Sequence, residues 1–225
     1  MNMIIDLDFR ITGDSVPSDH GYLLYSSLSR LRQSLHAAEW LGIHPISGIP
    51  AGDGSLKLSP SSRLRFRLPI EYLPELIPLA GKRLVLALND RISAVRIGLP
   101  EIQPLKPGAE LFSRCVTIKL SATEKGDRAP DRELFLAAVH AKLQRLGIAG
   151  KVSIDDELDS RGHERSRRVI HIKQKTVVGY SVHITELSEK DSLQLQEVGI
   201  GGRRRMGCGV FVPVKTKHGD REQES

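Results

Sequence analysis

Apolar and polar residues alternate at the start of the chain. Ile5, Leu7, Phe9 and Ile11 are interleaved with Asp6, Asp8 and Arg10, and this period of two predicts a half-buried strand. The period then lengthens. Leu24, Leu28, Leu31 and Leu35 recur at helical spacing after Pro17-Ser18-Asp19, so a helix is expected with Ser18 or Asp19 as N-cap, running to about Glu39 and stopped by Gly42. Residues 43–46 read as a short strand. Residues 50–62 are rich in Gly, Ser and Pro and read as a loop with room for a hairpin around Leu56 and Leu58. Residues 63–68 alternate strictly, which sends Leu64, Phe66 and Leu68 to a core and leaves Arg63, Arg65 and Arg67 on the opposite face. That face is either solvated or a contact surface for an anion. A helix over 70–79 follows despite Pro74 and Pro78, then strands at 83–88 and 92–97 around an Asn89-Asp90 turn.

Pro100, Pro104, Pro107 and Gly108 cluster after this unit and mark a junction. The same order of elements then recurs. Val116, Ile118 and Leu120 mark a strand. Leu134, Ala138, Ala141 and Leu143 lie on a helix that starts near Pro130-Asp131 and stops at Gly147. A short strand at 152–154 leads to a charged connection, 155–167, that holds Asp159, Arg161, His163 and Arg165. Strands at 169–173 and 178–185, a helix from Ser188 to about Val198 and a strand at 210–214 complete the unit. The expected fold is α+β, with two tandem ferredoxin-like (RRM-like) βαββαβ domains. The boundaries are 1–99 for the first, 100–110 for a linker, 111–215 for the second and 216–225 for a polar tail. The repeat is one of element order, not of sequence identity.

Composition narrows the partners. The 225 residues carry a net charge of +6 and a pI near 9.4, a surplus that favours polyanions. Aromatics make up only 4%, which argues against recognition by bases stacked across a sheet. The two cysteines, Cys115 and Cys208, form no CxxC pair, so a zinc site is not expected and reduced thiols are. Acids interrupt the N-terminal apolar run, so it does not read as a signal peptide. No stretch approaches a membrane span. The expectation is a cytoplasmic protein without cofactor, metal or membrane partner.

Residues 199–209 read Gly-Ile-Gly-Gly-Arg-Arg-Arg-Met-Gly-Cys-Gly. Glycine permits positive φ and close backbone approach, exposed N–H groups form anion-binding concavities, and Arg203, Arg204 and Arg205 add forked donors suited to phosphate. A dinucleotide fingerprint would need glycine where Arg204 stands, and a P-loop would need Lys-Ser/Thr where Cys208-Gly209 stand. The spacing glycine-hydrophobic-glycine, five residues, glycine-hydrophobic-glycine resembles the C-terminal loop of the CRISPR-associated endoribonucleases that cut repeat RNA into crRNA (the Cas-six family). Residues 16–25 and 41–48 resemble the family's approach to and exit from the first helix.

The resemblance implies a metal-independent endoribonuclease that matures pre-crRNA. The 2′-hydroxyl attacks the adjacent phosphate and leaves a 5′-hydroxyl and a 2′,3′-cyclic phosphate or 3′-phosphate. Repeat RNA is the implied partner, with further subunits of an effector complex. Its alternative is a non-catalytic crRNA-binding subunit of such a complex, and a weaker one is a protein that binds a small anionic metabolite. RNA contacts are expected from Gly199, Gly201, Gly202, Arg203, Arg204, Arg205, Gly207 and Gly209, and from Arg63, Arg65 and Arg67.

Metal-free cleavage needs an acid/base group, and histidine suits neutral pH. Eight are present. His218 lies in the tail, His140 inside a helix, His163 in the charged connection, His171 and His183 on polar strand faces, and His36 near the end of the first helix. The resemblance places the catalytic histidine at that helix's exit, which makes His44 the first choice and His20 the second. A straight helix between them would hold them roughly 25–30 Å apart. Relatives pair the histidine with a tyrosine on the first helix and a lysine just beyond. Counting from His44 finds Ser29 and Pro50 there, so the helper is left open among Tyr25, Arg30, Arg32 and the loop arginines.

Overall fold

The computed structural model describes residues 3–88, 91–119, 131–155 and 165–214. The first half forms β1 (Ile4–Thr12), β2 (Ser15–Pro17), α1 (Gly21–Leu31), a 3-10 turn at Gln33–His36, β3 (Gly42–Ile43), β4 (Ile49–Pro50), β5 (Ser55–Lys57), β6 (Arg63–Pro69), α2 (Leu73–Leu76), β7 (Arg83–Leu88) and β8 (Arg91–Pro104). Its main sheet has the order β3-β6-β1-β8-β7, and β2, β5 and β4 make a small sheet beside it. Without the edge strand β7, the order is second, third, first, fourth. The second half forms β9 (Leu111–Val116), α3 (Arg132–Leu146), β10 (Lys151–Ser153), β11 (Arg167–Ile172), β12 (Lys175–Thr185), α4 (Glu189–Val198) and β13 (Val212–Pro213). Its sheet runs β10-β12-β9-β13, again second, third, first, fourth, with β11 paired to β12. Both halves therefore have the split βαβ arrangement read from the sequence. Each encloses its own apolar cluster, around Leu7, Phe9, Leu28 and Phe66 in the first and around Phe135, Val182, Leu195 and Phe211 in the second.

Several elements depart from expectation for local reasons. α1 stops at Leu31, because Arg32 is extended at φ −145° and ψ 100° and its guanidinium is bonded to Glu75. The chain resumes as the 3-10 turn that carries His36. The N-cap of α1 is His20, which makes no side-chain cap; the Asp19 carboxylate instead accepts from the backbone and Nδ1 of His171. The 70–79 helix is reduced to one turn of α-helix between 3-10 turns, as two prolines in ten residues would dictate. The expected linker begins late: β8 continues to Pro104 and pairs with β1 as far as Ile5. β7 leaves β8 at Arg96, so the proline-bearing end of β8 has an open edge, where proline is tolerated.

β1 is the main surprise. It was expected to be half-buried, yet Asp6 and Asp8 are each only 6% exposed. The register sets Asp6 opposite Arg67 and Asp8 opposite Arg65, and the second half of the chain covers this face. Asn89-Asp90, Leu120, Pro130, Asp159, Arg161, His163, His218 and the tail 216–225 lie outside the described residues.

Candidate functional site

The glycine-rich loop is built by close approach. Gly199, Gly201, Gly207 and Gly209 all have positive φ. A Cβ on Gly209 would lie 2.1 Å from the Ile200 carbonyl oxygen, and one on Gly199 would lie 2.2 Å from that of Gly209. Its backbone donors are turned inward: Ile200 N–H donates to Gly209, Gly202 N–H to Thr117 and Gly209 N–H to Cys115. These three N–H groups hold the loop together instead of facing an anion. The glycines shape the loop, and the arginines remain for the ligand.

Those arginines have separate surroundings. Arg203 is exposed, at φ 63°. Arg204 is half-buried and donates through Nη2 to the Glu197 carbonyl; burial, then the charge of Arg67, lower its pKa to about 10. Arg205 reaches the first half, where its Nη1 donates to the His36 carbonyl and its guanidinium lies 5.3 Å from the centre of the Tyr25 ring.

The β6 arginines are also divided. Arg67 was expected on an RNA-facing surface, but it is 1% exposed. Its Nε and Nη2 donate to both oxygens of Asp6, each at 2.8 Å, while Nη1 donates to the carbonyls of Gln196 and Phe211 in the second half. The polar face of a two-residue period was read as solvent-facing, and the other half of the molecule lies against it. Arg65 is forked onto Asp8 and Arg63 donates to Pro60 and Ser62 carbonyls. Both line a cleft of about 650 Å³ between the halves, together with His44 and Arg114.

His44 and His20 are buried. The His44 Nε2 is 3.2 Å from Asp6 Oδ1; an ionised carboxylate can only accept, so Nε2 carries the hydrogen. Burial outweighs the pull of Asp6 and lowers the His44 pKa to about 4. The contact is thus a hydrogen bond from a neutral ring, not an ion pair, at neutral pH. Burial alone would raise the Asp6 carboxyl, but the bonds from His44 and Arg67 hold it well below the usual carboxylate range. His20 uses both nitrogens: Nε2 accepts from Ile46 N–H at 2.9 Å, so Nδ1 carries the hydrogen and donates to the Pro17 carbonyl at 2.8 Å. Burial lowers its pKa to about 4 as well. The bond to Ile46, two residues past His44, also corrects the expected separation. α1 is short and the chain turns back on it, so the two histidines flank one loop without sharing a bond.

His36 differs. It is exposed, and it stands on the 3-10 turn beside Tyr25 of α1. The Tyr25 hydroxyl donates to the His36 carbonyl at 2.8 Å and lies 3.2 Å from its Nδ1. That hydroxyl has one hydrogen, so Nδ1–H donates back to Tyr25 and Nε2 keeps its lone pair. His36, Tyr25 and Arg30 line a groove of about 1130 Å³, and Lys173 and Lys175 line it from the second half. Lys173 opens the two-residue turn between β11 and β12, at φ 55°, and Lys175 begins β12 just beyond it. One imidazole with a free lone pair, a phenol and several cations therefore meet in an open groove. Such a set can accept a proton and hold a phosphodiester. Counting did not find it: the interval of fifteen residues that leads from His44 to Ser29 leads from His36 to Gly21, whereas Tyr25 stands eleven residues before His36.

The fold defines the class, a tandem ferredoxin-like α+β protein with a glycine-rich loop closing its second half. Comparison with known proteins narrows it. The family model described as Cas6 Crispr matches residues 5–216, and the chain belongs to this family. It is 36% identical over 211 residues to the CRISPR-associated endonuclease Cas6 of Myxococcus xanthus, covering 94% of this chain and 82% of that protein. Among solved structures, a CRISPR associated protein Cas6 superposes with a TM-score of 0.65 at 13% identity, covering 94% of this chain and all of the other. A Cas6-related protein from Pyrococcus furiosus gives 0.61 at 14% identity, covering 95% of this chain and 100% of that one. At such identities these structures speak for the fold.

Proposed function

We propose that this protein is an endoribonuclease that cuts CRISPR repeat RNA without a metal ion, and that His36, not His44 or His20, is its acid/base. The observation that carries the reading is that His36, Tyr25 and Arg30 line one open groove, with Arg205 bonded to the His36 carbonyl and set over the Tyr25 ring. Family membership and the endonuclease activity named for the Myxococcus xanthus relative support the reaction class.

The chemistry follows from the groups present. The His36 Nε2 lone pair accepts the proton of a ribose 2′-hydroxyl. The 2′-oxygen forms a bond to the adjacent phosphorus, the bond to the 5′-oxygen breaks, and that oxygen takes a proton from solvent. The products carry a 2′,3′-cyclic phosphate and a 5′-hydroxyl. Arg205 is positioned to offset the charge that develops on the phosphorane, a contribution that is large in a preorganised site. Tyr25 fixes the imidazole tautomer. Arg203, Lys173 and Lys175 hold the flanking phosphates, and Arg63 and Arg65 contact RNA in the second cleft. Among the described residues no three His, Cys, Asp or Glu side chains are grouped to hold a metal ion. No helix of the described residues is long and apolar enough to cross a membrane.

Incubation of the protein with its repeat RNA in EDTA tests the reading. A single cut with a 5′-hydroxyl and a cyclic phosphate is expected. Loss of cleavage in EDTA with recovery in Mg²⁺ would contradict the mechanism. Tight binding with no cut under either condition would favour a crRNA-binding subunit.

A further inference from the structure

The two cysteines are 93 positions apart, one at the end of β9 and one inside the glycine-rich loop, and they are the chain's entire complement. The fold brings them together: Cys115 and Cys208 pack in a small apolar cluster with Ile170. We propose that they form a reversible disulfide on exposure to a hydroperoxide, a modification that ties the glycine-rich loop to β9 and switches off the groove at His36.

Spacing permits the bond. The Gly209 N–H, one residue beyond Cys208, donates to the Cys115 carbonyl at 2.7 Å. The loop backbone beside Cys208 therefore lies directly against β9 at Cys115, the close approach that a disulfide requires of its two Cα atoms, about 4.4–6.8 Å. Access is one-sided. Cys208 is fully buried, whereas Cys115 is 4% exposed and lines a pocket of about 340 Å³ that Arg114 and Arg168 also line. A thiolate is the reactive form, and nearby cations favour it. The neighbouring Cys208 thiol and the charges of Arg114, Arg168 and Arg203 lower the Cys115 pKa against the effect of burial, while the Cys115 side chain and burial raise that of Cys208. Cys115 is therefore the attacking thiolate and Cys208 the resolving thiol.

The steps balance. The Cys115 sulfur attacks one peroxide oxygen; an S–O bond forms, the O–O bond breaks, and hydroxide leaves to take up a proton as water. The Cys208 sulfur then attacks the sulfenic sulfur; the S–S bond forms, the S–O bond breaks, and a second water carries off the Cys208 proton. Two thiols are oxidised and one peroxide is reduced to two waters.

The consequence lies three residues away. Contact between two sulfurs must shorten to a covalent length of about 2.05 Å, and the loop has little slack, since even a Cβ added at Gly209 would lie 2.1 Å from the Ile200 carbonyl oxygen. Cys208 is displaced toward β9, and Arg205 is drawn from the His36 carbonyl. A misplacement of about 1 Å near reacting groups can cost about 10²-fold in rate. The regulatory half rests on the nuclease reading above; the crosslink does not.

The experiment treats the reduced full chain with hydrogen peroxide in the absence of RNA, followed by non-reducing peptide mapping. The expected result is one linked peptide pair joining Cys115 to Cys208, with both thiols lost together and both restored by dithiothreitol. Cys208→Ser should trap a sulfenic acid on Cys115, and Cys115→Ser should leave Cys208 reduced. Sulfinic acid on Cys115 without a crosslink, or no reaction, would overturn the proposal. Repeat-RNA cleavage by the oxidised protein should fall by about 10²-fold and recover with dithiothreitol, while Cys115→Ser, or Cys115→Ala if the serine variant misfolds, keeps its rate in peroxide. An oxidised wild type that cuts at the reduced rate would overturn the switch. A reduced wild type that cuts no repeat RNA would overturn the nuclease reading and leave the mapped crosslink standing.

Discussion

His20 and His44 show how burial chooses the protonation state of a side chain. Both rings are held neutral, with pKa values lowered by burial to about 4 from the ordinary histidine value of 6.5. The unfolded chain therefore binds protons that the folded chain refuses. Their contribution to stability is complete above about pH 6.5 and is lost as the pH falls toward 4, on the order of a few kcal/mol for each ring. Glutamine at position 20 can donate to the Pro17 carbonyl and accept from Ile46 N–H as the neutral imidazole does, yet it does not titrate. His20→Gln should thus flatten the fall in denaturation midpoint between pH 6.5 and 4; a curve that drops as steeply as the wild type would contradict the assignment. His36 was named in the sequence only as a residue near the helix end. Helical periodicity ran on through Leu35 and concealed that Arg32 breaks the helix, so nothing in the pattern showed that His36 stands on an exposed turn beside Tyr25.

At the scale of elements, the loop at 199–209 was the most legible feature, because a glycine spacing records backbone approach directly. Its chemistry was less so: three of its N–H groups, those of Gly202, Ile200 and Gly209, are bonded to Thr117, Gly209 and Cys115. The positions should differ sharply in tolerance. A Cβ on Gly202 meets nothing within 4 Å, whereas one on Gly209, at φ 64°, lies 2.1 Å from a carbonyl oxygen. Gly202→Ala should leave the melting temperature within a degree or so of the wild type, and Gly209→Ala should cost about 1–3 kcal/mol or more from overpacking and positive φ. Equal effects in a thermal melt would show that the loop is not packed as described. β6 illustrates the limit of a two-residue period. It separated Leu64, Phe66 and Leu68 from Arg63, Arg65 and Arg67 correctly, and it carried no information about what would cover the polar face.

For the whole molecule, that covered face is where the halves meet. Arg67 joins Asp6 of β1 to the Gln196 and Phe211 carbonyls. Arg67→Ala strips the buried Asp6 of its main partner and should cost about 3–5 kcal/mol, much more than Arg63→Ala on the exposed end of the same strand; similar losses in chemical denaturation would refute the tie. The element order of both halves could be read from the sequence because hydrophobic period is local. The contact between halves could not, since it depends on carbonyls and a loop more than a hundred residues away. That contact also brings Arg205 to His36 and so makes the groove. Single-turnover cleavage of repeat RNA by His36→Ala, beside His44→Ala, tests this most directly. His36→Ala should lower the rate by about 10²–10⁴-fold, the worth of positioned proton transfer, with RNA affinity unchanged within a few-fold, while folded His44→Ala keeps most of its activity. Cleavage by His36→Ala at the wild-type rate, with the loss falling on a folded His44→Ala, would contradict the account.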